Sequence, residues 1–218
     1  MFKNYFKTAW RSLWKNKFYA VINILGLSIG LTTAILLLLW IQDEKSFDKF
    51  NNDYNEVYNL SAHFNISGKE QVWTGVPGPL YRYAKAMTQV QNITRVSDDF
   101  VTLHLLNNKK LIQGLHVAYV DSSFFSIFNF KALQGNTANL FTSANNILLT
   151  DETAKKIFGT DDVIGKMVML DTTNFIVAGV LQNFPQNSSL RFDAVFPMSF
   201  YGKMFTAWGG NGDWKTID

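Results

Sequence analysis

The stretch FYAVINILGLSIGLTTAILLLLWI (Phe18–Ile41) runs for 24 residues without a formal charge. At 1.5 Å of rise per residue it makes about 36 Å of helix, enough to cross a hydrocarbon core of ~30 Å with some tilt. A buried helix of a soluble protein keeps a polar stripe along one side, whereas Ile35–Ile41 is apolar all round. A cleaved secretion signal has a shorter apolar region, about 7–15 residues, with a small-residue cleavage site behind it. Here the run ends Leu39-Trp40-Ile41-Gln42-Asp43-Glu44 with no such site. The expectation is an uncleaved transmembrane helix over residues 18–41.

Charge outside this run is unevenly spread. Residues 1–17 hold Lys3, Lys7, Arg11, Lys15 and Lys17 and no acid, a local charge of +5. Beyond them 15 basic residues face 17 acidic ones, so residues 18–218 carry −2. A nucleic-acid-binding domain spreads Lys and Arg over a folded face to release counterions from phosphates. A basic excess confined to the first seventeen residues argues against nucleic acid as a partner and for a membrane. With the basic residues before the span and Asp43 and Glu44 after it, the N-terminus is expected to be cytoplasmic and residues 42–218 extracytoplasmic.

Within residues 1–17 the apolar Phe2, Tyr5, Phe6, Ala9, Trp10, Leu13 and Trp14 recur at helical spacing, and the basic residues flank that stripe. The pattern predicts an amphipathic interfacial helix; the alternative is a plain positive flank with no helix of its own. Its membrane-interface residues are Trp10, Arg11, Trp14, Lys15 and Lys17. Inside the span, Gly26 and Gly30 form G-x-x-x-G, with Ser28 and Thr32 repeating the spacing. These two glycines either pack against another helix or reflect the ordinary frequency of glycine in spanning helices.

From residue 42 onward the composition is that of a globular domain. Alternating apolar residues predict strands near Val57–Ile66, Phe100–Leu106 and Leu111–Val120. Pro77-Gly78-Pro79 precedes a predicted helix over Leu80–Met87, Asp121–Phe130 reads as a short helix with an aromatic face, and Gly135-Asn136 reads as a turn. Thr150 is a predicted N-cap, Asp151 and Glu152 suit the N-terminal end of the helix dipole, and Gly159 closes the helix. Strands follow at Lys166–Leu170 and Phe175–Leu181, joined by Asp171–Asn174. Asn183–Ser189 is a predicted loop and Phe192–Phe196 a further strand. Helices and strands mix without regular alternation, which argues an α+β fold.

No chemistry-bearing constellation emerges. The stretch GTDDVIGKM (Gly159–Met167) superficially resembles a phosphate-binding loop, but five residues separate its glycines and Met167 follows Lys166. It also follows a helix and precedes a strand, the reverse of the order that loop requires. His63, His104 and His116 fall in separate predicted strands without ligand spacing, and the absence of cysteine removes thiolate sites and disulfides. No catalytic residue, metal site or cofactor is therefore assigned, and an enzyme is not expected.

Several segments are similar, in the same order, to ABC-transporter permeases of the MacB/FtsX-like family, particularly the form found in Bacteroidetes. They are SLWKNKFYAVINILGLSIGLTTAILLLLWIQDEKSFDKF (Ser12–Phe50), FFSIFNFKALQGN (Phe124–Asn136), ILLTDETAKKIFGTDDVIGKMVML (Ile147–Leu170) and FIVAGVLQNFPQNSSLRFDAVFPMS (Phe175–Ser199). The resemblance is weak over Leu60–Val117, and Asn51 and Asn59 stand where the family usually has His or Arg. It implies residence in the bacterial inner membrane and a MacB-like periplasmic core domain over residues 42–218. It further implies a P-loop ATPase partner, a second permease copy, and mechanical coupling of cytoplasmic ATP hydrolysis to the outer domain. The family continues into three more spans, so the core domain is expected to be incomplete here: the sequence is an excerpt or a truncated gene product, unable to transport alone. The other reading is a single-pass, membrane-anchored sensor or receptor domain.

Overall fold

The computed structural model describes residues 2–51, 53–104, 111–135 and 140–210. The chain divides into two units, residues 1–47 and 48–218. The first is helical: α1 spans Phe2–Lys15 and α2 spans Lys17–Glu44. Asn16 alone interrupts them, at φ −115° and ψ 50°. Its backbone is nevertheless bonded on both sides, Asn16 N to Ser12 O at 3.1 Å and Ala20 N to Asn16 O at 3.0 Å.

The second unit mixes helices and strands, as the α+β expectation requires. In chain order its elements are β1 (Ala62–Ile66), β2 (Lys69–Trp73), α3 (Leu80–Lys85), β3 (Val96–His104), β4 (Leu111–Val120), α4 (Phe124–Ile127), β5 (Ala132–Gln134) and β6 (Asn146–Thr150). Then come α5 (Asp151–Phe158), β7 (Met167–Leu170), β8 (Thr173–Leu181), β9 (Ala194–Pro197) and α6 (Met198–Ala207). β1 and β2 form an isolated antiparallel ribbon turned at Ser67-Gly68, both at positive φ.

The other seven strands are ordered β5-β8-β6-β9-β4-β3-β7, and β7 pairs again with β8. Six strands therefore close into a ring, with β5 attached alongside the C-terminal half of β8. Closure leaves few unpaired strand edges exposed. Alternation of side chains then sorts residues to two sides. Val101, Leu115, Val117, Tyr119, Ile147, Leu149, Val168, Phe175, Val177 and Phe196 share one cluster, completed by Ala154 and Ile157 of α5 and Met198 and Phe200 of α6. All six ring strands contribute to it. The intervening Ala118, Val120, Leu148, Leu181 and Val195 lie under a second cluster built from Phe124, Phe130, Leu140 and Phe192.

Several local expectations need correcting. The strand placed at Val57–Ile66 begins only at Ala62, and the one placed at Phe100–Leu106 begins earlier, at Val96; Leu105 and Leu106 lie outside the described residues, as does Asn136. Asp171–Asn174 is not all connection: Thr173 and Asn174 already belong to β8, leaving a tight turn with Asp171 at φ 52°. The final strand lies at Ala194–Pro197 in place of Phe192–Phe196. β2, β5, β6 and α6 carry no sequence expectation. β6 is buried along its whole length, and a strand buried on both faces shows no period-two alternation to detect.

Helix α5 follows its sequence signals closely. Thr150 Oγ1 accepts a hydrogen bond from Thr153 N at 3.3 Å, and Lys155 pairs with Asp151 at 2.9 Å. Gly159 sits at φ 73°, its N–H bonded to Lys155 O. The Gly159–Met167 segment is helix cap, turn and strand start, in that order.

Candidate membrane-interface site

Helix α1 carries no acid, and its aromatic residues are open to the surroundings: Phe6, Trp10 and Trp14 are 72%, 56% and 63% exposed. Phe6 and Trp10 stack one turn apart, with ring centroids at 6.4 Å. The four-residue spacing places Arg11 and Lys15 together on a helix flank beside Trp10 and Trp14. Lys17, the first residue of α2, brings its Nζ to 5.7 Å from the Trp14 ring centre. The structure thus brings Trp14 and Lys17 into cation–π contact across the Asn16 interruption. A cation held over an amphipathic ring is suited to the headgroup layer, where one side is wet and the other apolar.

Helix α2 has 28 residues, none buried, and is the one described helix long and apolar enough to cross a membrane. Its length of about 42 Å exceeds the hydrocarbon core. In water such a rod would leave Leu25, Leu27, Leu31, Leu36 and Leu38 more than half exposed, a far larger apolar patch than soluble proteins present. Thr33 returns its hydroxyl proton to the Ile29 carbonyl at 2.9 Å, so this polar group is satisfied within the helix. At Gly26 and Gly30 a Cβ would meet nothing within 4 Å. Both glycines lie on open helix surface.

In the outer domain, no group of three or more His, Asp or Glu among the described residues is placed to hold a metal ion. His63 lies 3.4 Å from Glu70 across the β1–β2 ribbon, at an exposed position. His116 Nε2 contacts Asp98 Oδ2 at 2.9 Å, and its ring stacks on Phe100. These are separate surface pairs; the three histidines do not converge.

Sequence reasoning gave no hint of two polar features. Arg95 forks onto Asp121, Nη2 to Oδ1 at 2.7 Å and Nε to Oδ2 at 2.9 Å, while the same Oδ2 accepts Arg95 N at 2.9 Å. The guanidinium also lies 4.5 Å from the Tyr81 ring centre. Asp48, just beyond α2, accepts hydrogen bonds from Ser189, 141 residues away. Nothing local announces partners so distant. Asn51, one of the two departures from the family pattern, is buried and accepts from Asn129 N at 3.2 Å.

Comparison with known proteins places this geometry. The chain is similar to the Pyoverdine export ATP-binding/permease protein PvdT of Pseudomonas syringae pv. syringae (strain B728a), 21% identical over 196 residues. The PvdT of Pseudomonas savastanoi pv. phaseolicola (strain 1448A / Race 6) is 22% identical over the same length. Each match covers 81% of this chain and 27% of the relative, so the chain spans about a quarter of those proteins. Among solved structures, a permease-protein domain from Porphyromonas gingivalis shares the fold, with a TM-score of 0.57 and 18% identity over 69% of this chain and 61% of that one. Residues 20–217 match the MacB-like periplasmic core domain, and the chain belongs to that family.

Proposed function

We propose that this chain is the N-terminal portion of an ABC-transporter permease subunit, in which α2 anchors an extracytoplasmic α+β domain to the bacterial inner membrane. The observation that carries this reading is the joint presence, on one chain, of a 28-residue apolar helix with no buried residue and a family match over residues 20–217. Relatives that combine ATP-binding and permease functions in one protein support a P-loop ATPase as partner, and the reading adds a second permease copy in the assembled transporter.

In this reading the N-terminus is cytoplasmic. Lys3, Lys7, Arg11, Lys15 and Lys17 stay on the side of positive loops, while Asp43 and Glu44 emerge outside. α1 lies in the inner interface with Trp10 and Trp14 at headgroup depth and Arg11, Lys15 and Lys17 toward anionic lipid. Gly26 and Gly30 offer a close-approach surface to a further spanning helix. The outer domain does no chemistry. It moves when the ATPase on the opposite side closes and opens, and acts as export or force-transmitting element.

Protease protection tests the arrangement. In intact cells with permeabilised outer membranes, an N-terminal tag resists protease while the exposed Ser67-Gly68 turn is cut; the opposite pattern refutes it. Affinity isolation of the full-length parent in mild detergent should bring a P-loop ATPase with it, and isolation without one would sink the transporter reading.

A further inference from the structure

We propose that Asp48 is the positioning residue that clamps the first residues of the outer domain onto its Asn187–Ser189 loop, so that the domain begins at a fixed point of its own structure. This rests on the reading that α2 spans the membrane ahead of that domain. The helical path persists past Glu44 through the bonds Ser46 N to Asp43 O and Phe47 N to Glu44 O. It stops at Asp48, which adopts φ +57°. Only Gly, Asn and Asp enter that region readily, and of the three only Asp presents two acceptor oxygens.

Both oxygens are used. Oδ1 accepts Ser189 N at 2.9 Å, and Oδ2 accepts the Ser189 hydroxyl at 2.5 Å. The Asp48 amide donates to Asn187 O at 2.9 Å. Its carbonyl receives Asn51 N at 3.2 Å and Asn51 Nδ2 at 3.3 Å. Asn51 is buried, and its Oδ1 accepts Asn129 N, tying the segment to the end of α4. Between them Phe50 packs on Phe130 at 5.6 Å, and Phe130 packs on Phe184 at 4.5 Å.

The receiving loop is itself braced. Buried Ser188 donates to Leu190 O at 3.0 Å and accepts Leu190 N at 3.2 Å. An ordinary turn closes on residues a few positions away; this one reaches across 141 residues. Asp48 and Asn187-Ser188-Ser189, drawn from two of the segments that carry the family resemblance, meet here.

Amide hydrogen exchange of the whole chain in lipid nanodiscs tests the clamp. Asp48, Asn51 and Ser189 amides exchange slowly in the native protein. Asp48→Ala accelerates all three together by about ten- to a hundred-fold, as expected when charge-assisted bonds are removed, while β4 and β6 amides stay protected and show that the domain is folded. Asp48→Asn, which tolerates the same backbone and keeps one acceptor but no charge, restores part of the protection. Unchanged exchange in Asp48→Ala, or an Asp48→Asn variant as fast as Asp48→Ala, overturns the proposal. Failure of the ATPase isolation above would remove the transporter reading and leave this result standing.

Discussion

Removing a hydroxyl from the middle of the barrel should stabilise this protein. Tyr119 is fully buried on β4, its ring flanked by Phe196 at 5.6 Å, Tyr201 at 5.0 Å and Phe200 at 6.3 Å. Among the described residues its Oη has no hydrogen-bond partner, although buried polar groups are almost always paired. An unsatisfied buried hydroxyl costs about 1–3 kcal/mol. Tyr119→Phe abolishes that cost while retaining the ring contacts, and loses only the dispersion of one oxygen atom. The net expectation is a gain of about 1 kcal/mol, which for a domain of this size raises Tm by about 2–4 °C.

The same burial, with Asp99 and Tyr201 as secondary causes, pushes the Tyr119 phenol well above its ordinary range. The unfolded phenol titrates near 10, so its neutral form favours the native state below that pH. This contribution is lost as pH rises beyond 10, because the unfolded chain releases the proton first. Near-UV circular dichroism melts of the reconstituted chain at pH 7 and pH 10.5 read both effects. The variant should melt higher at pH 7, and its lead should widen at pH 10.5. A variant that melts lower than the parent at pH 7 would refute the reasoning, since the hydroxyl must then be making a bond of net value.

Gly135 lies at φ 92°, and a Cβ there would sit 2.8 Å from the Ala178 carbonyl oxygen. Gly135→Ala should therefore cost about 2 kcal/mol or more through strain and displaced backbone, a Tm fall of about 4–8 °C by calorimetry. Asp121→Ala removes the two-point fork from the part-buried Arg95 guanidinium and should cost about 2 kcal/mol in denaturant unfolding, with Arg95→Lys losing part of that because an ammonium cannot fork. Thr150→Ala removes the α5 cap and should lower unfolding free energy by about 1 kcal/mol, whereas Thr150→Ser should retain most of it. Replacing Lys15 and Lys17 with Glu removes charges each worth about 1 kcal/mol near an anionic surface. A tag-accessibility assay should then find a fraction of chains with the N-terminus outside.

Much of the first unit was legible without coordinates, because its determinants are local. Length and missing charge mark α2 as a span-length helix, since both are properties of consecutive residues. The α5 boundaries were equally legible: Thr150 and Gly159 act through bonds to residues three and four positions away. The amphipathic stripe of α1 was readable in the same way. The contact of Lys17 with Trp14 was not, because it depends on how the backbone turns at Asn16.

What tertiary structure alone decided is the closure of the sheet and everything that depends on it. β6 lies between β8 and β9, buried on both faces, so its five residues carry no alternation. Ring closure rests on β7 meeting β3 as well as β8: the β7–β8 hairpin is legible from its short connection, whereas no local pattern encodes the β3–β7 pairing. The Tyr119 hydroxyl, without a hydrogen-bond partner among the described residues, is buried only because six strands and α6 surround it. Likewise, Asp48 reads in the sequence as one more acid after the span, and Asn187-Ser188-Ser189 as a polar loop. Their union depends on the fold bringing together segments 141 residues apart. Periodicity and capping act over a few residues and can be read directly, whereas long-range pairing reflects which surfaces the whole chain buries against one another.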